Sequence, residues 1–367
     1  MIMAPVIRWA VGCLCMALGI GMATAQEEQV SPENLLLKDF RPKSIYQIPR
    51  TQVDRAQLPA IDIHSHPYAK TPEEVAQWVC IMDEVGIEKT IILAMSSGKE
   101  FDEIFDRFAG RYPDRFQVWC GFDYTGYDQP GWGETAVKEL ERCFKVGARG
   151  VGEVGDKGKG LIFGKPTKAW GMHIDDPRMD PLLEKCAELG IPINVHVAEP
   201  YWMYRPMDAH NDGLMNAYEW RLDNQPDILS HEEMLLTLER ACARHPNTTF
   251  IACHLANCSN SLNRLGTMLD KLPNLYADFS VRYAETAPIP RLASSFLEKY
   301  QDRILYGTDM GYKKEMYRVT FRILESEDEH FYETELFGYH WPLNGFNLGD
   351  NLLRKLYREN AMKILAQ

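Results

Sequence analysis

Short apolar segments alternate along the chain with longer amphipathic stretches, beginning near residue 60. The short segments have the length and continuous hydrophobicity of buried strands, whereas the stretches between them repeat their apolar positions with the period of a helix. Alternation of this kind is typical of a parallel sheet. Eight parallel strands close into a barrel, so the pattern predicts a (β/α)8 TIM barrel. The predicted strands are Ala60–His66, Thr90–Ser96, Phe116–Tyr124, Arg149–Val154, Ile191–Glu199, Thr249–Asn257, Asn274–Val281 and Ile304–Thr308.

Helix boundary signals agree with this alternation. Thr71–Glu74 combines a capping residue with proline in the first turn, and Ser230–Glu233 fits a capping box. Gly147 and Gly190 mark the ends of helices. The segment Gly349–Leu365 repeats apolar residues with helical spacing, so we expect a C-terminal helix that packs on the barrel.

The amino terminus has the pattern of a secretory signal peptide. A single positive charge at Arg8 precedes the apolar run Trp9–Met22 and a small-residue cleavage site that ends at Ala25. The run of about 14 residues is short beside the roughly 20 that span a bilayer, so no stable membrane anchor is expected. The chain is therefore predicted to be exported, to the periplasm or beyond the cell, after cleavage near Ala25.

The remaining sequence suits a single large domain. Residues 26–59 are polar and contain several prolines, and we interpret them as an N-terminal extension that runs along the outside of the barrel. Residues 60–367 then form the barrel domain, because one barrel often exceeds about 250 residues without dividing.

The net charge argues against nucleic acid binding, and the cysteine pattern argues against disulfides. The formal net charge of −12 argues against attraction to nucleic acid phosphates, so we expect a small-molecule substrate. Of nine cysteines, Cys13 and Cys15 lie in the predicted signal peptide. The others lack tight spacing and mostly fall in apolar patterns, which favours buried free thiols over disulfides. They are Cys80, Cys120, Cys143, Cys186, Cys242, Cys253 and Cys258.

Metal-binding side chains stand where four of the predicted strands end. His64 and His66 are two residues apart, so both point to the same side of an extended strand and can bind one ion together. His196, His254 and Asp309 stand at the ends of three later strands. Imidazoles combined with a carboxylate suit a catalytic divalent ion, with zinc expected first and manganese or iron as alternatives.

One more candidate metal ligand and four further sequence stretches show a resemblance to a known family. Glu153 lies at the end of the fourth predicted strand, which completes an ordered series of candidate ligands along the barrel. Residues 60–367 resemble the amidohydrolase superfamily, and more narrowly its amidohydrolase-related family, whose members include hydrolases and non-oxidative decarboxylases. The stretches that carry the narrower resemblance are Asp175–Pro181, His245–Asn247, Leu272–Asp278 and Tyr306–Asp309.

The resemblance implies a catalytic face at the carboxyl ends of the strands. His64, His66 and His196 would bind a divalent ion, with Asp309 nearby as the general base for a metal-activated water. His254 would be either a ligand to a second ion or a donor to the substrate oxygen. The expected function is a secreted metal-dependent hydrolase that cleaves a C–O or C–N bond in a lactone, ester or amide. The alternative is a metal-dependent non-oxidative decarboxylase, a lyase that acts on an aromatic or unsaturated carboxylic acid.

One position departs from the two-metal members of the superfamily. Many of them carry a carboxylated lysine after strand four, whereas this chain has Glu153. A glutamate can bridge two ions, bind one ion, or only orient a ligand, so one ion and two ions both remain open. Because relatives often form dimers or tetramers, a homo-oligomer is a further expectation.

The long loop after the fifth predicted strand, residues 200–229, combines aromatic and polar residues. Loops of this length are usually functional. We interpret it as a lid in which Trp202 or Tyr204 stacks on a substrate ring and Arg205 binds an anion. The alternative is a surface excursion whose aromatic residues only cover the barrel rim.

Two charged residues near the seventh strand have competing interpretations. Arg282 is a candidate for binding a substrate carboxylate, although ion pairing is the commoner role of arginine. Asp278 is either the structural partner of Arg282 or a catalytic group. Five other histidines match no ligand position and are expected at the surface or in loops: His173, His231, His245, His330 and His340.

Overall fold

The computed structural model describes residues 31–365. Residues 31–40 belong to one compact unit, which contains a short 3-10 turn at Leu37–Asp39, and the residues from Arg41 onward form the other. The predicted signal peptide, residues 1–25, lies outside the described residues. Between residues 31 and 365, no helix is long and apolar enough to cross a membrane.

Eight parallel strands form the barrel, and each predicted strand region overlaps one of them. The strands, with a short hairpin β5–β6, are β1 (Ala60–Ser65), β2 (Ile87–Leu93), β3 (Phe116–Trp119), β4 (Val151–Asp156), β5 (Gly160–Leu161), β6 (Ala169–Trp170), β7 (Ile193–Val197), β8 (Phe250–Ala252), β9 (Leu275–Asp278) and β10 (Ile304–Leu305). One sheet has the order β1-β2-β3, and the other has the order β10-β9-β8-β7-β4-β5-β6. The hairpin is antiparallel to β4, whereas the eight barrel strands pair in parallel.

Backbone hydrogen bonds join the two sheets on both sides and close the barrel. Between β3 and β4, the amide of Gly152 donates to the carbonyl of Cys120 at 2.8 Å. Between β10 and β1, the amide of Ile63 donates to the carbonyl of Tyr306 at 3.0 Å. The TIM-barrel prediction is therefore confirmed.

Most predicted strands extend a few residues beyond the observed carboxyl ends. Residues with left-handed backbone angles stand at these points: Met95 (φ 55°), Ala198 (φ 62°), His254 (φ 58°), Val281 (φ 60°) and Asp309 (φ 52°). A positive φ breaks the extended conformation, so each strand stops where the chain turns across the catalytic face of the barrel. Apolar patterning alone does not reveal these turns.

Helices follow the strands as the alternation predicts. Both predicted capping residues act as such, because Thr71 and Ser230 each accept from the backbone amide three residues later within a capping box. The helices are α1 (Pro72–Val85), α2 (Gly98–Arg107), α3 (Trp132–Val146), α4 (Asp180–Leu189), α5 (Leu214–Ala217), α6 (His231–Arg244), α7 (Leu262–Lys271), α8 (Tyr283–Thr286), α9 (Pro290–Lys299), α10 (Lys314–Glu325), α11 (Asp350–Arg354) and α12 (Asn360–Leu365).

The C-terminal segment packs on the barrel, as expected. A π-helical turn at Lys355–Glu359 joins α11 to α12. Ala361 and Ile364 belong to the same buried cluster as Ile61 and Ile63 of β1, inside the barrel. This apolar layer fills one end of the barrel and leaves the other end to polar side chains.

Residues 41–59 pack against the barrel unit at its α10 side. The backbone amide and hydroxyl of Thr51 both donate to the carboxylate of Asp328, and the amide of Gln57 donates to Glu325 at 3.0 Å. All seven cysteines within the described residues are free, and all but Cys80 are buried, which agrees with the expectation from sequence.

Candidate active site

The two histidines of β1 lie at the centre of the candidate site. His64 is fully buried, and its Nδ1 donates to the carboxylate of Asp278 at 2.9 Å. His66 donates from Nδ1 to the carbonyl of Leu93 at 3.0 Å. A carboxylate and a carbonyl can only accept, so in both rings Nε2 is left as the free nitrogen. The Nε2 of His64 is buried without any hydrogen-bond partner.

Asp309, four residues after the end of β10, faces both of these free nitrogens. Its Oδ1 lies 3.2 Å from Nε2 of His66, and its Oδ2 lies 3.8 Å from Nε2 of His64. The hydroxyl of Tyr68 donates to Oδ1 at 2.7 Å. The Asp309 side chain retains 19% exposure and that of His66 14%, so solvent or a substrate can reach both, whereas His64 is fully buried.

A second group gathers around Glu153 of β4. His196 of β7 donates from Nε2 to the carbonyl of Ala198 at 3.0 Å, and its Nδ1 lies 2.6 Å from Oε1 of Glu153. His254, which follows β8, places Nε2 3.5 Å from the same oxygen. The other carboxylate oxygen of Glu153 lies 3.4 Å from Nε2 of His66, so this residue touches both groups.

These contacts form two sets of metal-ligand atoms. In each set, one atom from each residue lies within 4.8 Å of the other two. The first set is His64, His66 and Asp309, and the second is Glu153, His196 and His254. All six residues proposed from sequence as metal ligands are thus brought together at the carboxyl ends of the strands.

The carboxylates of the cluster are stabilised by nearby positive charge. Burial alone would lower the pKa of His196, but the carboxylate of Glu153 outweighs burial and raises that pKa to about 9. Burial would raise the pKa of Asp309, yet the imidazoles of His66 and His64 hold it below its ordinary value. Each carboxylate therefore sits where positive charge, from a proton or a metal ion, stabilises it. The donor set and the unpartnered nitrogen of His64 fit a divalent ion.

A left-handed turn positions His254. Residues His254 to Asn257 all have φ between 54° and 58°, which L residues rarely adopt in succession. The amide of His254 donates to Asp278 at 3.0 Å, and the side-chain amide of Asn257 donates to the carbonyl of Val197 at 2.9 Å. Hydrogen bonds to two neighbouring strands therefore hold this unusual backbone in place.

Asp278 has a role that the sequence interpretation missed. The structure gives it neither Arg282 as partner nor a catalytic position, because its carboxylate accepts from His64, from the amide of His254 and from Asn194 at 3.1 Å. It therefore orients two candidate ligands. One sequence feature could have predicted this role: Asp278 is an acidic residue at the end of a strand, and the neighbouring strand precedes the candidate ligand His254. Glu199 was also missed; it is buried, pairs with Lys157, and lies 3.8 Å from Nε2 of His196.

Arg282 lies in the interior, only 5% exposed. Its guanidinium donates to Glu285 at 2.7 Å and to the side-chain carbonyl of Asn257, while its Nε has no hydrogen-bond partner. Tyr339 donates to the same Glu285 at 2.6 Å and accepts from Asn216 of the 200–229 loop at 2.6 Å. Arg282 is therefore held by an ion pair, and its Nε–H is still free to donate.

Trp202 and Tyr204 of the 200–229 loop pack mainly against protein, whereas Tyr201, Tyr218 and Trp220 are exposed. Trp202 donates to Asp212, lies against Gly213, and is tilted over Trp341 at 5.8 Å between ring centroids. Tyr204 packs edge-on to His231, and its hydroxyl is buried without a partner. Arg205 is exposed, 5.9 Å from the centre of the Tyr201 ring. Substrate contact by Trp202, Tyr204 and Arg205 stays a prediction.

The expectation that the remaining histidines lie at the surface or in loops is wrong for His231, which begins α6, whereas His245 lies in the loop after α6 but is not at the surface. His231 is buried and donates to the carbonyl of Asn257 at 2.9 Å. His245 is buried and contacts Asp180 at 3.0 Å. Both satisfy a neighbouring polar group in the core, a role that depends on tertiary packing.

Solved structures of similar fold include several decarboxylases. The 2,6-dihydroxybenzoate decarboxylase from Rhizobium is 17% identical with a TM-score of 0.52, and the match covers 84% of this chain and 99% of that chain. The dihydroxybenzoic acid decarboxylase from Polaromonas sp. JS666, with bound manganese and 2-nitroresorcinol, is 17% identical with a TM-score of 0.54, covering 84% and 97%. The 5-carboxyvanillate decarboxylase from Novosphingobium aromaticivorans, complexed with manganese and 4-hydroxy-3-methoxy-5-nitrobenzoic acid, is 15% identical with a TM-score of 0.51, covering 87% and 100%.

At sequence identities of 15–17%, these similarities show a shared fold and no more. No curated protein matches the chain. A model of the amidohydrolase family matches residues 61–366, which is most of the sequence. The chain therefore belongs to the amidohydrolase family of metal-dependent barrel enzymes, which the order of its candidate ligands already resembled.

Proposed function

We propose that this metal-dependent enzyme is a lyase that removes the carboxyl group of an aromatic or unsaturated acid without oxidation. One observation supports the metal dependence on which this proposal rests: four imidazoles are each anchored through one ring nitrogen and turn the other toward Asp309 and Glu153. Such a cluster binds a divalent ion in a fixed geometry. When bound, that ion supplies positive charge that polarises a carboxylate or carbonyl oxygen of the substrate.

Arg282 supports an anionic substrate. Its guanidinium is close enough to Asp309 for the two charges to interact, and its free Nε–H is a donor suited to a carboxylate oxygen. Glu285 and Asn257 fix the plane of the guanidinium, so a substrate would meet a donor that is already oriented. Two neighbours of similar fold are decarboxylases of 2,6-dihydroxybenzoate and 5-carboxyvanillate, which belong to the aromatic acids included in our proposal.

Asp309 is the residue that we assign to proton transfer. Loss of carbon dioxide breaks a carbon–carbon bond, and a proton must then reach the carbon that the carboxyl group leaves. Asp309 is partly exposed, and Tyr68 fixes one of its oxygens at 2.7 Å. It can therefore take a proton from solvent and deliver it from a constant direction.

Hydrolysis of a lactone, ester or amide is the second candidate. Glu153 favours it, because its two oxygens lie between His66 on one side and His196 and His254 on the other, a position that can bridge two ions. In that reaction Asp309 would accept a proton from water and pass it to the leaving group. Both candidates use the same ligands and differ in the bond that breaks.

A product assay separates the two candidates. Protein reloaded with manganese or zinc is incubated with aromatic acids and, separately, with lactones, esters and amides. Carbon dioxide matched by an equal amount of decarboxylated product supports the lyase. Acid released from neutral substrates, without carbon dioxide from any acid, supports hydrolysis instead. Failure to retain any divalent ion would remove both candidates.

A variant of Arg282 tests the substrate class. Arg282→Gln removes the charge that we assign to carboxylate binding, which should weaken binding of an acid substrate by about 1.5–3 kcal/mol, or roughly ten- to hundredfold in KM. Arg240→Gln is the matched control, because Arg240 is an exposed arginine paired with Asp175 on the outer face of α6. An unchanged KM in Arg282→Gln would exclude this residue from substrate binding.

Export is a separate proposal. The apolar run Trp9–Met22 and the small residues that end at Ala25 motivate it. Expression of the full chain with its own amino terminus, followed by N-terminal sequencing of the protein outside the cytoplasm, tests it. A retained leader in a purely cytoplasmic protein would contradict the proposal.

A further inference from the structure

A buried thiol lies inside the ligand cluster. Cys253 directly precedes His254 and is fully buried. Its sulfur, a ring nitrogen of His64 and a carboxylate oxygen of Glu153 all lie within 4.8 Å of one another. His64 belongs to the first ligand set and Glu153 to the second, so the sulfur stands at the boundary between them. The other buried cysteines of the described residues belong to no such group of ligand atoms.

The surroundings of this thiol point to a ligand. The Nε2 of His64 is a buried nitrogen without a partner, which independently marks space for an ion at this cluster. The thiol donates to the side-chain carbonyl of Asn194 at 2.7 Å, and the same amide donates to Asp278 at 3.1 Å. Cys253 is thus connected to the Asp278 carboxylate that orients His64.

We propose that Cys253 is a sulfur ligand of the metal site and that it makes the site prefer zinc to manganese. The inference rests on the proposed metal-dependent function. Thiolates favour zinc and similar soft ions, whereas manganese prefers oxygen donors. Metal binding would break the S–H bond of Cys253, release its proton to solvent and end the hydrogen bond to Asn194, and a sulfur–metal bond would take their place.

Spectroscopy of the metal-loaded protein tests the ligand directly. We expect a sulfur-to-cobalt charge-transfer band in the near ultraviolet from wild type loaded with cobalt. X-ray absorption of the zinc form should show one sulfur at about 2.3 Å beside the lighter ligands. The relative affinity for zinc over manganese should fall by about tenfold or more in Cys253→Ser, which keeps a donor for Asn194 but loses the sulfur.

Cys186→Ser is the matched control, because Cys186 is an equally buried free thiol on α4. It should keep the band, the sulfur shell and the zinc preference. Stoichiometric cobalt in wild type without the charge-transfer band, or a zinc shell without sulfur, would overturn the proposal while leaving the metal site intact. Absence of bound cobalt and zinc would instead contradict the proposed function itself. The wild-type measurements decide the question even if Cys253→Ser does not fold.

Discussion

The imidazole of His64 donates its Nδ1 proton to the buried carboxylate of Asp278 at 2.9 Å. The same carboxylate accepts from the backbone amide of His254 at 3.0 Å. One aspartate therefore fixes the ring of one candidate ligand and the backbone of another. Neither contact involves substrate, so Asp278 is a positioning residue.

Replacing this carboxylate should weaken metal binding. Asp278→Asn keeps the size of the side chain but removes the charge that orients His64, and changes of this kind typically cost about 10- to 100-fold in affinity. The dissociation constant, measured by competition with a chelator, reports the effect. Asp270→Asn, at an exposed position on α7, is the control. Equal affinity in Asp278→Asn and wild type would show that His64 needs no such support.

The removal of one ligand from the pair on β1 gives a second test. His64→Ala deletes an imidazole that His66 cannot replace, so metal content after dialysis should fall. His330→Ala, at a histidine outside the cluster, should retain the wild-type content. Full occupancy in dialysed His64→Ala would argue against this site as the place of binding.

Asp309→Asn should separate binding from turnover. The amide cannot carry the proton that we assign to Asp309, so activity should fall by about 100-fold or more while the fold and most of the bound metal remain. Product formation and elemental analysis are measured on the same sample. Activity within about tenfold of wild type would remove Asp309 from the proton-transfer role.

The metal-free protein should lose stability as the pH rises. Glu153 raises the pKa of His196 from 6.5 to about 9 in the folded state. A raised pKa stabilises the fold fully below pH 6.5, and this contribution, about 3 kcal/mol, is lost as the pH rises through 9. Chelator-treated protein should therefore unfold at a lower temperature at pH 9 than at pH 6.5.

A variant identifies the source of that pH dependence. Glu153→Gln removes the charge that raises the pKa of His196, so the difference in unfolding temperature between pH 6.5 and pH 9 should shrink. Glu232→Gln, which alters an exposed ion pair on α6, should leave the difference unchanged. The same slope in Glu153→Gln and wild type would assign the effect to other groups.

Tyr339 offers a test of the network around Arg282. Its hydroxyl donates to the buried Glu285 at 2.6 Å, so Tyr339→Phe should lower the free energy of unfolding by about 1.5–3 kcal/mol. The control is Tyr127→Phe, because the hydroxyl of Tyr127 bonds only a backbone carbonyl at an exposed position. Denaturant unfolding measures both. Equal losses in the two variants would mean that Glu285 does not depend on Tyr339.

The barrel and the meeting of its ligands could be predicted because both follow from order along the chain. Strands alternate with helices, and residues at the carboxyl ends of parallel strands meet at one face. The exact strand ends could not be predicted, since His254 and Ala198 adopt left-handed angles that their residue types do not announce. The sequence therefore predicted the identity of the ligands more reliably than the backbone conformation at their positions.

Contacts made through tertiary packing were beyond the sequence. The sequence offered two roles for Asp278, partner of Arg282 or catalytic group, and the structure instead pairs it with His64, because only β10 lies between β9 and β1 in the closed barrel. Trp202 reads as a substrate-stacking residue, yet its indole lies beside Trp341, which is distant in sequence. The environment of such side chains depends on which loops meet, and local patterns do not encode that.

The left-handed turn from His254 to Asn257 connects the metal-ligand cluster with Arg282. His254 carries a nitrogen of the metal cluster, and Asn257, three residues on, holds the guanidinium of Arg282. An anion that shifts Arg282 would move the same short piece of backbone that positions the metal ligand. Thermodynamic linkage then requires reciprocity: anion and metal should alter each other's affinity by the same factor.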